Sequence, residues 1–558
     1  MASLAAGCAQ EDIDTAPSGG GGMSASSYVS LSFASQQSTP TRSNPTGGEQ
    51  GDGQEKGQTK ENEIKSAVAF FYQGSGTDGV NSSGTTPIMA VATFNVGSYT
   101  EPGNGIDRTY TTTPQQVDLD DGTYNVLVVA NPGTDWWTGQ SLTLADVRDH
   151  IQTTAWTASG SDYSDFVMTS AADATLTLNS NPESNPATAE VDVERMAARL
   201  DYKTTGTYTC DDPAYPGATV EITGAALVNN LTAGSYLLKR VADDVNGVPT
   251  YLGNETPDAG VQTNYVLDPW TAVKTSANNS FTIGGEANKT AKDLYGEWFG
   301  NISQDPNYWA DYVQPGDGTE TWQRIGYTLE NTTAAEEAGK RYSTGVVFKA
   351  KFYPKGVANY QGGATFFALG THLFASMEDM MTYVYGADFS QFDDKINACD
   401  NWAAVKNFAV SLLDNDPSGY KAFLLGQDEA QDLAQVKESL KWSAYMLSNC
   451  GYSAGLNGTY KVELDQNGIV TRNALQSYGV RTYEDATCYY TWWVRHSNDN
   501  NDDAKGIMEY AIVRNNIYKL TVNSIYSLGN DVPGEDENII LDVYVNDWLL
   551  LKPETLPM

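Results

Sequence analysis

The 558-residue chain carries 70 acidic against 33 basic side chains, a formal charge of −37. That balance excludes nucleic-acid binding, which needs clustered Lys and Arg for the phosphates. Hydrophobic residues make up 40% and aromatic ones 11%, which excludes a disordered chain, and the length predicts two or three domains.

In chain order, Leu4-Ala5-Ala6-Gly7 leads into Cys8, with Glu11 and Asp12 just behind. Small residues before a cysteine suit a signal-peptidase groove, and the thiol suits thioether acylation. The motif resembles a bacterial lipobox, which makes Cys8 the expected lipidation site of an exported precursor. The stretch ahead of Cys8 has no basic residue and is short for a full signal, a departure from that pattern. A Gly19–Gly22 tether follows. Then Tyr28-Val29-Ser30-Leu31-Ser32-Phe33 alternates polar and apolar residues with period two, the pattern of a half-buried strand.

Residues 34–58 are rich in Ser, Thr, Pro, Gly and Gln and predict an exposed loop. Arg42, the first basic residue of the chain, lies in it, so the Arg42–Ser43 bond is an accessible target for a trypsin-like protease.

From 63 to about 208 the sequence is strand-like throughout. EIKSAVAFFY (63–72) is apolar and aromatic, DGTYNVLVVAN (121–131) puts Tyr124, Val126 and Val128 on one face, and VDVERMAARLDY (191–202) closes the region. Short strands separated by Gly, Pro and Asn turns predict a β-sandwich. Strands resume from about residue 219 with TGVVFKAKFYP (344–354). Helical spacing is confined to about 388–450, through Ile396, Cys399, Trp402, Val405, Phe408 and Leu412 and then Leu433, Val436 and Leu440. CYYTWWVRH (488–496) and MEYAIVRNNIYKLTVNSI (508–525) return to strand. The final stretch alternates Ile539, Leu541, Val543 and Val545 and then continues apolar through Trp548, Leu550 and Leu556.

Catalytic and metal motifs are missing. GSGTDG (74–79) fits GxGxxG in letters, but loop sequence follows it where a dinucleotide site needs a helix. No GxSxG, P-loop or HExxH is present. The five cysteines and three histidines show no metal spacing, and the Asp499–Asp503 run lacks the EF-hand order. We expect no enzyme, cofactor or metal. Trp136-Trp137 and Trp492-Trp493 read as packing residues rather than sugar platforms. A disulfide among the later cysteines, Cys399 with Cys450 for instance, stays open.

Taken in order, these segments resemble the major-subunit fimbrillins of the minor-fimbria (Mfa) type from Bacteroidales, within the FimA/Mfa-like superfamily. The resemblance implies a mainly β fold of two transthyretin-like Greek-key sandwich domains. They would span 43–207 and 208–558, the second with the helical insertion, behind a removable segment 1–42. It implies a shaft subunit of a cell-surface fimbria, exported as an outer-membrane lipoprotein and active in adhesion and biofilm formation. An Arg-specific, trypsin-like protease would cut between Arg42 and Ser43 and release the strand bearing Val29, Leu31 and Phe33. A C-terminal strand from another copy, drawn from 539–558, would fill the vacated groove by donor-strand exchange. Two donors are open: the Ile539, Leu541, Val543, Val545 stretch, and the preferred 548–558 with Trp548, Leu550 and Leu556. Implied partners are identical subunits in a homopolymer, anchor and tip subunits, the protease, and host or bacterial receptors. The alternatives are an anchor or tip adhesin, or a glycan-binding surface lipoprotein.

Overall fold

The computed structural model describes residues 26–35, 54–74, 82–99, 110–159, 162–241, 266–275, 280–302, 309–311, 322–333, 337–412, 433–434, 437, 475–476, 479–496, 508–534 and 538–549. The chain is mainly β, as its alternating and β-branched segments predict.

The first sheet has nine strands, β1 (Ser27–Ser35), β2 (Ser66–Tyr72), β3 (Ala90–Tyr99), β4 (Tyr110–Thr112), β5 (Gln115–Val117), β6 (Gly122–Ala130), β7 (Met168–Ser170), β8 (Ala174–Leu178) and β9 (Ala187–Arg195). It closes on itself, because β7 bonds to both β9 and β6. Inside lies a core of Val29, Leu31, Phe33, Phe71, Phe94, Val126, Val128, Met168 and Val191 with their neighbours. β2 and β6 are buried on both faces. Their other sides, Val68, Phe70, Leu127 and Val129, pack under Trp137, Leu144 and Leu238. An unbroken apolar run such as SAVAFFY suits a strand that sees no solvent on either side.

Next come β10 (Ala198–Lys203), β11 (Thr207–Thr209), β12 (Thr219–Val228), β13 (Gln323–Thr328), β14 (Gly345–Tyr353), β15 (Thr487–Trp493), β16 (Asn516–Ile525) and β17 (Ile539–Leu549). They form two five-stranded sheets. One runs from the short strand Gln54–Lys56 through β17, β16 and β10 to β13; the other holds β11, β12, β14 and β15 with Ala310–Asp311 at its side. Leu200, Tyr202, Leu520, Val522, Leu541 and Val543 of one meet Val220, Ile222, Phe348, Phe352 and Tyr490 of the other in a single core. The two faces make a sandwich. Gly345 is required by this packing: a Cβ there would stand 2.9 Å from the Trp493 ring.

Three expectations shift. Residues 191–202 read as one segment, but β9 belongs to the first sheet and β10 to the second, so the change of sheet falls at Met196–Ala197. The helices begin earlier than 388, with Met377–Tyr385, Ala387–Asn397 and Trp402–Leu412. The spacing through Ile396 and Trp402 spans a break at which Ala398 ends one helix and the Asn401 side chain accepts from the Ala404 N–H of the next. Short helices also occur outside that region, at Thr59–Asn62, Leu144–Arg148 and Ala291–Leu294. Residues 34–58 are not all exposed loop, because Gln54–Lys56 is a strand within the second sheet.

Candidate functional site: the first strand and the chain's two anchored ends

β1 is an interior strand. On one side it runs parallel to β9, with Val29 opposite Ala187, Leu31 opposite Ala189 and Phe33 opposite Val191. On the other it is antiparallel to β5, through Ser27 and Val29, and to β4, through Ser32 and Phe33. Between those two partners the ladder is interrupted. There the Leu31 N–H donates to the Thr112 hydroxyl at 2.9 Å, so no backbone donor is orphaned. At the strand's start the Tyr28 N–H donates to the Asn181 carbonyl at 2.8 Å.

Alternation sends Val29, Leu31 and Phe33 into the core, each 0% exposed. Burying three such side chains contributes about 1.5–3 kcal/mol each, before any hydrogen bond is counted. Without β1, the facing edges of β9, β4 and β5 would present unpaired N–H and C=O groups around an apolar groove.

The other end of the chain is held differently. β17 pairs antiparallel with β16 from Ile539 to Asp547, and Ile539, Leu541, Val543 and Val545 are all buried in the core of their own sandwich. At its end Asp547, Trp548 and Leu549 pair parallel with Gln54, Glu55 and Lys56.

A buried polar cluster fixes this corner. Arg199 and Asp201 alternate with inward Leu200 and Tyr202 and so face away from the core, yet they are 4% and 3% exposed. The 54–62 segment covers them. Arg199 donates to Glu55 at 2.6 Å, to Glu61 at 2.9 Å and to Asp201 at 2.8 Å. Lys519 donates to the second Glu55 oxygen at 2.5 Å. Glu61 also accepts from the Tyr327 hydroxyl and from the Gln58 N–H, the latter at 2.7 Å. Arg195 donates to the Glu61 carbonyl at 2.9 Å and to the Asn62 side chain.

The titrations follow from these contacts. Half-burial works to raise the Glu55 carboxyl, but the Lys519 hydrogen bond and the Arg199 and Lys519 charges leave it below its ordinary value. Burial raises the Asp201 carboxyl despite Arg199 beside it. Burial also weighs against the Arg199 cation, but Asp201, Glu61 and Glu55 outweigh it and raise its value.

The chain can now be set against known proteins. Residues 481–552 match the family described as major fimbrial subunit protein type IV, fimbrillin, C-terminal. Over those residues the chain is similar to the C-terminal region of fimbrillins. That region holds β15, β16 and β17, and with them the partners of the 54–62 segment, Lys519 and Asp547–Leu549. No curated protein sequence matches the chain. Among solved structures, it is similar to a candidate cell adhesion protein of Parabacteroides distasonis ATCC 8503, with 11% identity, 94% and 100% of the two chains covered and a TM-score of 0.38. It is also similar to a fimbrillin (FimA) of Porphyromonas gingivalis W83, with 13% identity, 94% and 99% covered and a TM-score of 0.34. A third is the C-terminally truncated tip fimbrial protein Mfa3 of Porphyromonas gingivalis, with 9% identity, 94% and 100% covered and a TM-score of 0.32.

Of the residues singled out from sequence, Val29, Leu31 and Phe33 stand together in one strand and one core. Ile539, Leu541, Val543 and Val545 stand in the core of the second sandwich. Cys8, Arg42, Ser43, Leu550 and Leu556 lie outside the described residues, as does the Asp499–Asp503 run; for Trp548 only the backbone is described. Trp137 and Trp493 are core residues, and Trp136 stacks on His150 and Phe70. Cys210, Cys399 and Cys488 are free thiols, and Cys450 lies outside the described residues. Among the described residues there is no group of acids, His and Cys able to hold a metal ion, and no helix long and apolar enough to cross a membrane. Sequence reading missed Glu55, Glu61, Arg195, Arg199 and Lys519. Their only sequence signal is charge inside strand-like or loop-like stretches, which ordinarily marks a solvated face.

Proposed function

We propose that the protein is a shaft subunit of a cell-surface fimbria that polymerises by protease-triggered donor-strand exchange. The observation that carries this reading is β1, an interior strand with three fully buried apolar side chains. Residues 36–53 join it to the rest of the chain, and Arg42 and Ser43 lie among them. Cutting after Arg42 severs the backbone link between β1 and the rest of the subunit. The groove between β9 on one side and β4 and β5 on the other then accepts an extended segment of another copy, with backbone hydrogen bonds giving affinity and alternate pockets giving specificity. Such a joint regains the burial and the ladder that β1 leaves behind.

The donor is best sought past Leu549, because Ile539, Leu541, Val543 and Val545 serve their own core. Leu550 and Leu556 are then its apolar residues, with Leu549 as the last rung before it leaves. Cys8 is the lipidated residue of the exported outer-membrane precursor and departs with β1. Partners in this scheme are identical subunits, anchor and tip proteins, an Arg-specific protease, and receptors that make the fibre adhesive.

The test is deletion of 550–558. The cut, truncated subunit should accept a donor peptide of that sequence but give none, so it stays monomeric alone. Heat-stable ladders from the truncated protein would overturn the donor assignment.

A further inference from the structure

The stretch between β1 and β2 is tied at both ends, but to different bodies. Upstream, β1 pairs only with first-sheet strands β9, β4 and β5. Downstream, Gln54–Lys56 pairs with β17, and Glu55 and Glu61 reach Arg199 of β10, Lys519 of β16 and Tyr327 of β13, all in the second sandwich. We infer that residues 54–62 form a staple that stays with the subunit when β1 is released and fixes Leu549 as the last residue kept before the donated segment. The inference rests on the proposed release of β1 and adds to it where the chain divides at each end.

β16 reaches only as far as Asp547, opposite Asn516, so among the described residues Trp548 and Leu549 would have no strand partner without the staple. Gln54–Lys56 pairs with Asp547, Trp548 and Leu549, and it alone holds Trp548 and Leu549 in the sheet. Glu55 is the pin. It bonds to Arg199 and Lys519, and the Asn546 side-chain amide approaches its carboxylate at 3.5 Å, one residue before the paired stretch. The same carboxylate therefore touches three strands of one sheet. Glu61 closes the segment behind it, with its side chain on Arg199 and the Gln58 N–H and its carbonyl on Arg195. Among the described residues no hydrogen bond or ladder rung joins this set to Val29, Leu31 or Phe33, although Tyr327 shares their core. Release of β1 therefore breaks none of the staple's hydrogen bonds. Residues beyond 549 then start from a fixed point and direction, which lowers the ordering cost of seating them in a neighbour.

Hydrogen exchange read by mass spectrometry on the full-length chain, before and after Arg-specific cleavage, tests this. In wild type, amides 54–56 and 547–549 should keep their protection after the cut while β1 is lost. In Glu55→Ala, protection at 547–549 should fall roughly tenfold or more, the worth of a charged hydrogen bond, with β1 protection before the cut unchanged as the folding control. Lys519→Gln should weaken the same amides and serves if Glu55→Ala does not fold. Unchanged protection at 547–549 in the folded variants, or loss of 54–62 together with β1 in wild type, would overturn the staple. Polymer is scored separately by gel. Absent polymer with the staple amides protected would count against strand exchange and leave the staple standing.

Discussion

Phe33 stands opposite Val191 in a parallel rung and opposite Tyr110 in an antiparallel one, and all three side chains meet in one core. A strand paired on both sides near one end of the chain is an unusual thing to discard. Its energetic weight makes the proposal measurable.

Leu31→Ala should destabilise the intact precursor by about 2–5 kcal/mol, and Phe33→Ala by about 3–5 kcal/mol, in urea unfolding. Once the chain is cut and the peptide removed, the same substitutions should cost nothing, because the altered side chain has left. A penalty that persists in the purified, processed subunit would mean that β1 stays.

Arg199→Ala strips the shared cation from Glu55, Glu61 and Asp201, and leaves Glu61 and Asp201 carboxylates buried without it. The expected cost is about 3–5 kcal/mol of unfolding free energy. Arg199→Lys keeps the charge but not the fork that serves three acids, and should fall between.

Glu55 gives a pH dependence of defined sign. Its carboxyl titrates lower in the fold than its ordinary 4.5, so the fold favours the ionised form. The stabilisation is complete above 4.5 and is lost as the pH falls through the folded value. Asp201 runs the other way, since burial raises it. Comparing wild type with Glu55→Gln isolates the one group. Their stability difference should be largest near about pH 6 and shrink toward about pH 3. A constant difference would contradict the ion contacts.

The thiols should sort by burial. Burial pushes Cys488 up to about 12 and raises Cys210 as well, and both are buried. Iodoacetamide on native protein should therefore label half-exposed Cys399 and spare those two until the chain is unfolded. Rapid native labelling of Cys488 would contradict the packing of its sandwich.

The strands were legible where one face or two faces decide the pattern. β1, β6 and β14 show it in Val29-Ser30-Leu31, Tyr124-Asn125-Val126 and Phe348-Lys349-Ala350. The switch between β9 and β10 was not read from the sequence, although the phase of the alternation carries it. Val191 and Val193 point inward on odd positions, Leu200 and Tyr202 on even ones, and the flip falls at Met196–Ala197. The staple was not legible. Glu55 and Glu61 sit in a polar stretch, and their partners Arg195 and Arg199 are more than 130 residues away in sequence, at the end of β9 and in β10. The helix Met377–Tyr385 escaped because Tyr383 and Val384 are exposed and blur any apolar stripe.

The central claim is that a cut after Arg42 turns a closed monomer into a polymerising one. Wild type and Arg42→Ala should be treated with an Arg-specific protease and followed by intact mass and by gel without boiling. Wild type should lose residues 1–42 and build a ladder, and Arg42→Ala should keep β1 and remain monomeric. An Arg42→Ala protein that forms the same ladder, or a wild type that loses 1–42 and forms none, would contradict the account.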